Sequence, residues 1–402
     1  MADKQADRPI YLDYQATTPS DPRVMEAMLP YLSRQFGNPH SIQHTIGLKA
    51  EAAVEKARGQ VADLINAESR EVIFTSGATE ANNLAIKGVA AFQKGRRGHA
   101  IVAVTEHKCV LESYHRLERE GWRVTYLPVS SKGLLDMKAL TTALDEDTAL
   151  VSVMAVNNEI GVIQPLDEIG ALCREKKAAF HCDAAQAAGK IPLDVEAAKI
   201  DLLSISGHKL YGPMGIGALY VRRRPRVRLE PLFDGGGQER GLRSGTLPLF
   251  LCVGFGEACA LAQADRASEG TRLAALSARL WSGLTAELDG LSVNGDQDRR
   301  FAGNLNISFA GVDAEALIKA MPEIAVSTGS ACTSASVEPS YVLQALNLEE
   351  ERTRSALRIG LGRFSTAEEI DRAVAIIVRA VTDLRGRAGR DGNSADGSQA
   401  AE

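Results

Sequence analysis

The sequence predicts an α/β protein, a large doubly wound, mostly parallel sheet joined to a smaller α+β domain. Three observations carry that expectation. From about residue 71, short β-branched runs alternate with helical segments, and polar or glycine residues close each run. Beyond residue 260 the texture changes to long amphipathic patterns. A chain of 402 residues is also long enough for more than one core.

The runs are 71–75 (EVIFT), 100–104 (AIVAV), 123–127 (RVTYL), 150–154 (LVSVM), 179–182 (AFHC), 202–205 (LLSI) and 217–221 (GALYV). Such strands, separated by helices, form a sheet whose ligands sit at the carboxyl ends of the strands. Leu273, Leu276, Leu280, Leu284 and Leu288 then fall at helical spacing and predict a long, core-facing helix. Apolar runs at 304–309 and 324–326 and two further helical patterns complete the smaller domain. The expected division is an N-terminal segment 1–16 folding onto the small domain, a large domain 17–260, and a small domain 261–384. A tail 385–402, rich in Gly, Ser and Asp, is expected to be disordered.

Composition narrows the function classes. With 45% hydrophobic and 24% charged residues and a net charge of −5, the chain reads as a globular protein with no electrostatic call for nucleic acid. The first nine residues lack the marks of a signal or transit peptide, and no run spans a bilayer, so a cytoplasmic protein is expected. Six cysteines (109, 173, 182, 252, 259 and 332) show no CxxC pair or metal rhythm and read as reduced thiols.

Chemistry-bearing residues cluster where strands run out. TSGATE (75–80) follows the first run, Glu106 and His107 the second, and Asn157, Asn158 and Glu159 the fourth. Asp183 and Gln186 follow the fifth, and Ser206, His208 and Lys209 the sixth. In a parallel sheet these ends share one rim. The small residues at 76–80 open a helix and free backbone N–H groups for a phosphate, although any glycine turn looks similar. Desolvation at a strand end would lower the pKa of Lys209 and let it form an imine with an aldehyde. Taken alone, a surface lysine in a turn is the better reading. Asp183 inside an apolar strand needs a partner, and a protonated pyridine nitrogen would serve. His107 suits stacking and proton transfer, or equally a hydrogen-bonded core histidine.

The motifs YLDYQATTP (11–19), FGNP (36–39), NNEIGV (157–162), SGHKLYGP (206–213), RSGT (243–246), STGSACTSA (327–335) and SALR…LGRF (355–364) resemble those of cysteine desulfurases. These are class V enzymes within fold-type I of the pyridoxal-phosphate (PLP) transferases. The similarity runs from about Ile10 to about Leu384, and the 327–335 loop resembles the long-loop, NifS/IscS-like type. The resemblance implies that Lys209 carries the cofactor, Asp183 pairs with its ring nitrogen and Gln186 contacts the ring oxygen. Asn158 lies beside the ring and His107 stacks on it. Ala78, Thr79, Ser206 and His208 bind the phosphate region, and Thr246 reaches the cofactor of a second subunit in a homodimer.

Cys332 is what singles out sulfur transfer. It stands among small polar residues that offer nothing to bury it, so a mobile loop is expected. The implied reaction converts L-cysteine to L-alanine, with Arg358 holding the substrate carboxylate and Cys332 taking the sulfur as a persulfide. Further implications are an iron–sulfur scaffold and other sulfur acceptors as partners, and a transient [2Fe-2S] cluster at Cys332. Other class V enzymes (an aminotransferase or selenocysteine lyase) and an assembly platform are the alternatives. The arginine run 222–228 reads as a solvated face or a docking site for a partner or tRNA, and Cys109 as structural.

Overall fold

The computed structural model describes residues 8–328 and 340–396, with side chains through residue 387. Strand β1 (Ile10–Tyr11) is followed by α1 (Pro22–Ser33) and α2 (Thr45–Leu64). The alternating part runs β2 (Val72–Thr75), α3 (Ala78–Gln93), β3 (His99–Ala103), α4 (Lys108–Arg119), β4 (Arg123–Leu127) and α5 (Met137–Ala143). It continues with β5 (Thr148–Ser152), α6 (Leu166–Glu175), β6 (Ala179–Asp183), β7 (Leu202–Ser206) and β8 (Gly217–Val221). Then come α7 (Leu249–Glu287), β9 (Leu291–Val293), β10 (Asn304–Phe309), α8 (Ala314–Ala320) and β11 (Ile324–Ala325). The last elements are α9 (Tyr341–Ala345), α10 (Glu350–Arg354), β12 (Ala356–Gly360) and α11 (Ala367–Asp396).

Strands β2 to β8 form one sheet in the order β2-β8-β7-β6-β5-β3-β4. Its pairs are parallel except those of β8, which runs antiparallel to both β2 and β7. Strand alternation sends Phe74, Ile101, Val151, Phe180 and Leu203 into a core with α2 and α7, while Ile73, Ala100, Val102, Leu150 and Leu202 pack under α3 and α4. Both faces are therefore covered, which is why these runs read as almost continuously apolar.

A second sheet, β12-β10-β9, is antiparallel, and β1 pairs with β11 in parallel. The leucine stripe from Leu273 to Leu288 is buried as predicted. Tyr14 N–H donates to the Gly360 carbonyl at 3.4 Å, and Gly360 N–H donates to the Leu12 carbonyl at 2.7 Å, so the N-terminal segment lies along β12. From there it crosses to the large sheet, where Thr18 N–H donates to the His208 carbonyl at 3.0 Å. This short strap brings β12 and the large sheet to one place.

Two expected boundaries differ. Helix α7 runs unbroken through residue 260, because 255–268 holds good helix formers and no proline. Helix α11 continues past Leu384 to Asp396, into the stretch expected to be disordered. Arg385 anchors that extension, donating to the carbonyls of Ala310 at 2.8 Å and Asp289 at 3.0 Å.

Candidate active site

The carboxyl ends of β2, β3, β5, β6 and β7 share one rim, because these strands run parallel. At the end of β2, Gly77 adopts φ +150° and caps α3. A Cβ on Gly217 would stand 2.7 Å from the Gly77 Cα, so glycine there lets β8 start against the turn. The first bond inside α3 runs from Ala81 N–H to the Gly77 carbonyl, which leaves the N–H groups of Ala78 and Thr79 without an intrahelical acceptor. A Cβ built on Gly77 would lie 4.0 Å from Ser206 Oγ, placing that hydroxyl beside the same turn. The arrangement suits a phosphate.

Strand β7 ends at Ser206 and a single turn, Gly207–Lys209, lifts Lys209 over the rim. Its Nζ donates to the carbonyls of Gln15 at 2.5 Å and Ala16 at 2.7 Å on the strap. The adjacent His208 has its Nδ1 3.0 Å from Thr17 Oγ1. Burial, with help from Lys209 and Lys190, lowers His208 to a pKa of about 4, so its ring is neutral at pH 7.

Gln186 donates from Nε2 to the Gln15 carbonyl at 2.8 Å and accepts from Lys190 Nζ at 2.8 Å. Burial, then Lys209 and Arg358, lowers Lys190 to about 7 against the pull of Glu269. The unfolded chain therefore binds a proton at Lys190 that the folded chain releases between about pH 7 and 10.5. Below pH 7 the amine is charged in both states, and the cost of burying that charge is fully felt. Stability relative to a Lys190→Met variant should rise by roughly 1 kcal/mol between pH 7 and 8.5 in urea unfolding. A flat difference would refute the shift.

Asp183, at the end of β6, is 5% exposed, accepting from Asn82 Nδ2 at 2.7 Å and from Ala185 N–H at 2.9 Å. Beneath it lies Glu106, fully buried, with Oε1 accepting from Met154 N–H and Oε2 without a partner among the described residues. Burial, with the Asp183 charge adding to it, pushes the Glu106 carboxyl well above the usual carboxylate range. His107 follows as the N-cap of α4. Asn158 Oδ1 is buried without a partner among the described residues, while its carbonyl accepts from Arg358 Nη1 at 3.0 Å.

Arg358 comes from β12 and is 3% exposed. Its Nη2 contacts Asp13 Oδ1 at 2.6 Å, and its Nε is buried without a partner among the described residues. An unmet guanidinium donor invites an anion. Thr246 lies on an exposed loop tied down by Arg243, whose Nε donates to Glu80 Oε1 at 2.8 Å in the first turn of α3. Cys332 lies outside the described residues.

The sequence reading missed Asn82, Asp13, Gln15 and Lys190. Asp13 and Gln15 sat inside a quoted motif, whereas Asn82 lies on helix α3 and Lys190 in the turn after β6, neither with a local signal. A cavity of about 800 Å³, lined by Arg223, Arg224, Arg226 and Arg228 together with Glu68, Glu71, Glu196 and Glu230, lies at the opposite end of the strands, where antiparallel β8 ends.

Residues 10–373 match the family model for class-V aminotransferases. The chain belongs to the class-V aminotransferase family. Cysteine desulfurase IscS of Rickettsia bellii is 56% identical over 94% of this chain and 92% of its own length. A mitochondrial cysteine desulfurase of Arthroderma benhamiae is 58% identical over 95% of this chain and 76% of its own. Among solved structures, a NifS-like protein superposes with a TM-score of 0.87 at 35% identity, covering 93% of this chain and 99% of that one. SspA in complex with cysteine gives 0.79 at 39%, covering 89% and 99%. Like other class-V aminotransferases, this chain pairs a large, mostly parallel sheet with helices on both faces.

Proposed function

We propose that this chain is a cysteine desulfurase that uses pyridoxal phosphate, releases L-alanine from L-cysteine and keeps the sulfur as a persulfide on Cys332. The observation that carries this reading is that Lys209, Asp183 and the open N-terminus of α3 share one rim, with Arg358 of β12 bonded to Asn158 beside it. Relatives named cysteine desulfurase at 56–58% identity support it.

The residues fit the cofactor. The N–H groups of Ala78 and Thr79, with Ser206 and His208, would hold its phosphate, Lys209 its aldehyde carbon and Asp183 its ring nitrogen. Gln186 and Asn158 would flank the ring and His107 would stack on it. Asn158 Oδ1, buried with no partner among the described residues, is consistent with a polar group of the cofactor beside it. When bound, the cofactor supplies an electron sink for bonds broken at the substrate.

The protein's own groups do the rest. Arg358 binds the substrate carboxylate, using a fork whose Nε has no partner among the described residues. Lys209 would move the substrate α-proton. The Cys332 thiolate attacks the substrate sulfur, the bond from that sulfur to carbon breaks, and a proton replaces sulfur on the carbon to give alanine. His107 assists that proton transfer. The persulfide then passes its outer sulfur to an acceptor thiol.

The acceptor assigned here is an iron–sulfur scaffold protein, with a [2Fe-2S] cluster transiently shared through Cys332 and tRNA thiolation as a further outlet. Arginines outnumber glutamates in the lining of that cavity, which supports docking of an anionic partner. A homodimer is supported by the apolar surface of Met25, Leu29, Leu32, Phe36, Ile42 and Ile46, each about half exposed. The five described cysteines are free thiols, which supports work in the cytoplasm, and no described helix is long and apolar enough to cross a membrane.

Product analysis tests the reading. Purified protein given cysteine and a thiol reductant should form alanine and sulfide in equal amounts. A keto acid in place of alanine would make the chain a transaminase, and absence of turnover beside intact scaffold binding would make it a platform.

A further inference from the structure

Cys109, which the sequence reading left as structural, sits in the hydrogen-bond network around the site. His107 Nδ1 accepts the Cys109 backbone N–H at 3.2 Å. A ring nitrogen that accepts there carries no proton, so the neutral ring bears its hydrogen on Nε2. Cys109 Sγ lies 3.0 Å from the same Nδ1. That sulfur also accepts from Asn82 Nδ2 at 3.2 Å, and the same amide nitrogen donates to Asp183 Oδ2 at 2.7 Å. The orientation of the Asn82 amide follows from chemistry, since a carboxylate only accepts and needs the NH₂ group facing it. On the other side of that amide, His181 Nε2 stands 3.1 Å from Asn82 Oδ1. With Asn82 donating into the sulfur, the hydrogen of the thiol is directed to Nδ1.

We infer that Cys109 is a positioning residue for His107: its thiol and its backbone N–H together hold Nδ1 as an acceptor, and Asn82 ties that thiol to Asp183. The ring is thereby kept in its Nε2–H form and set in register with the carboxylate assigned to the cofactor nitrogen. The inference rests on the role given to His107 above. Among the described charged and titratable groups, Glu106 and Glu159 couple electrostatically to this ring, Lys108 couples to Glu159, and Asp183 is reached through Asn82. An alanine at 109 would keep the backbone donor and lose the thiol, whereas a serine would keep both donors.

The test uses the holoenzyme labelled with nitrogen-15 in its seven histidines, with His107 assigned by its loss in His107→Gln. Long-range proton–nitrogen spectra at neutral pH should show the Nε2–H form in wild type and Cys109→Ser, and a tautomer mixture in Cys109→Ala. The kcat for alanine formation should fall about five-fold in Cys109→Ala at unchanged KM, and recover to within about two-fold in Cys109→Ser. An Nδ1–H form in wild type, or an unchanged spectrum and kcat in Cys109→Ala, overturns the inference. Should Cys109→Ala not fold, the wild-type and serine spectra decide it. Wild-type turnover by His107→Gln would instead remove the proton-transfer role of His107, and the spectra would still show whether Cys109 sets the ring.

Discussion

Lys209→Ala should lower alanine formation from cysteine by at least about 10³-fold while the protein stays folded. One amine serves two purposes in the proposed reaction, holding the cofactor and moving the substrate α-proton, and none of the other described rim residues can do both. Lys190 is the neighbouring amine, but its Nζ is engaged by Gln186 at 2.8 Å. The loss should fall on kcat. Stability should change little, because the Lys209 side chain donates to two strap carbonyls at the rim and is not part of the apolar core. Borohydride treatment should fix the cofactor to the Lys209 peptide in wild type and to nothing in the variant. Undiminished turnover would remove Lys209 from the mechanism.

Cys332→Ser should be equally severe in turnover and milder in everything else. Cofactor content and spectrum should match wild type, because Ala78, Thr79, Asp183, Ser206 and Lys209 are untouched. Alanine release should drop by at least about 10³-fold, since a serine hydroxyl is a poor nucleophile toward sulfur and cannot hold it as a persulfide. The two variants separate the halves of the reaction, because the first loses the cofactor tether and the second loses only the sulfur carrier. Equal alanine production by Cys332→Ser and wild type would mean that sulfur leaves by another route.

Much of this site could be read before any coordinates. Strand periodicity located β2 to β8 to within two residues, because strands covered on both faces write their burial into every position. Lys209, Asp183 and His107 stood out as candidates because they end apolar runs, but a turn lysine or a core histidine looks the same locally, and only the motif resemblance proposed their roles. Asp13 as the partner of Arg358 was not legible, since that pair joins positions 345 residues apart. Asn82 was hidden for a related reason. On α3 it looks like any helical asparagine, and only the stacking of α3 under β6 brings it to Asp183 and Cys109. The end of α11 was misjudged because glycine-rich composition argues for disorder, while the anchor at Arg385 is tertiary.

The central claim is that sulfur from free cysteine comes to rest on one thiol of this chain. Brief exposure of the holoenzyme to cysteine, alkylation, digestion and peptide mass analysis address it directly. The account predicts one added sulfur atom on the peptide carrying Cys332, absent in Lys209→Ala. An added sulfur on the Cys109 peptide alone, or none on any peptide while alanine accumulates, would contradict it.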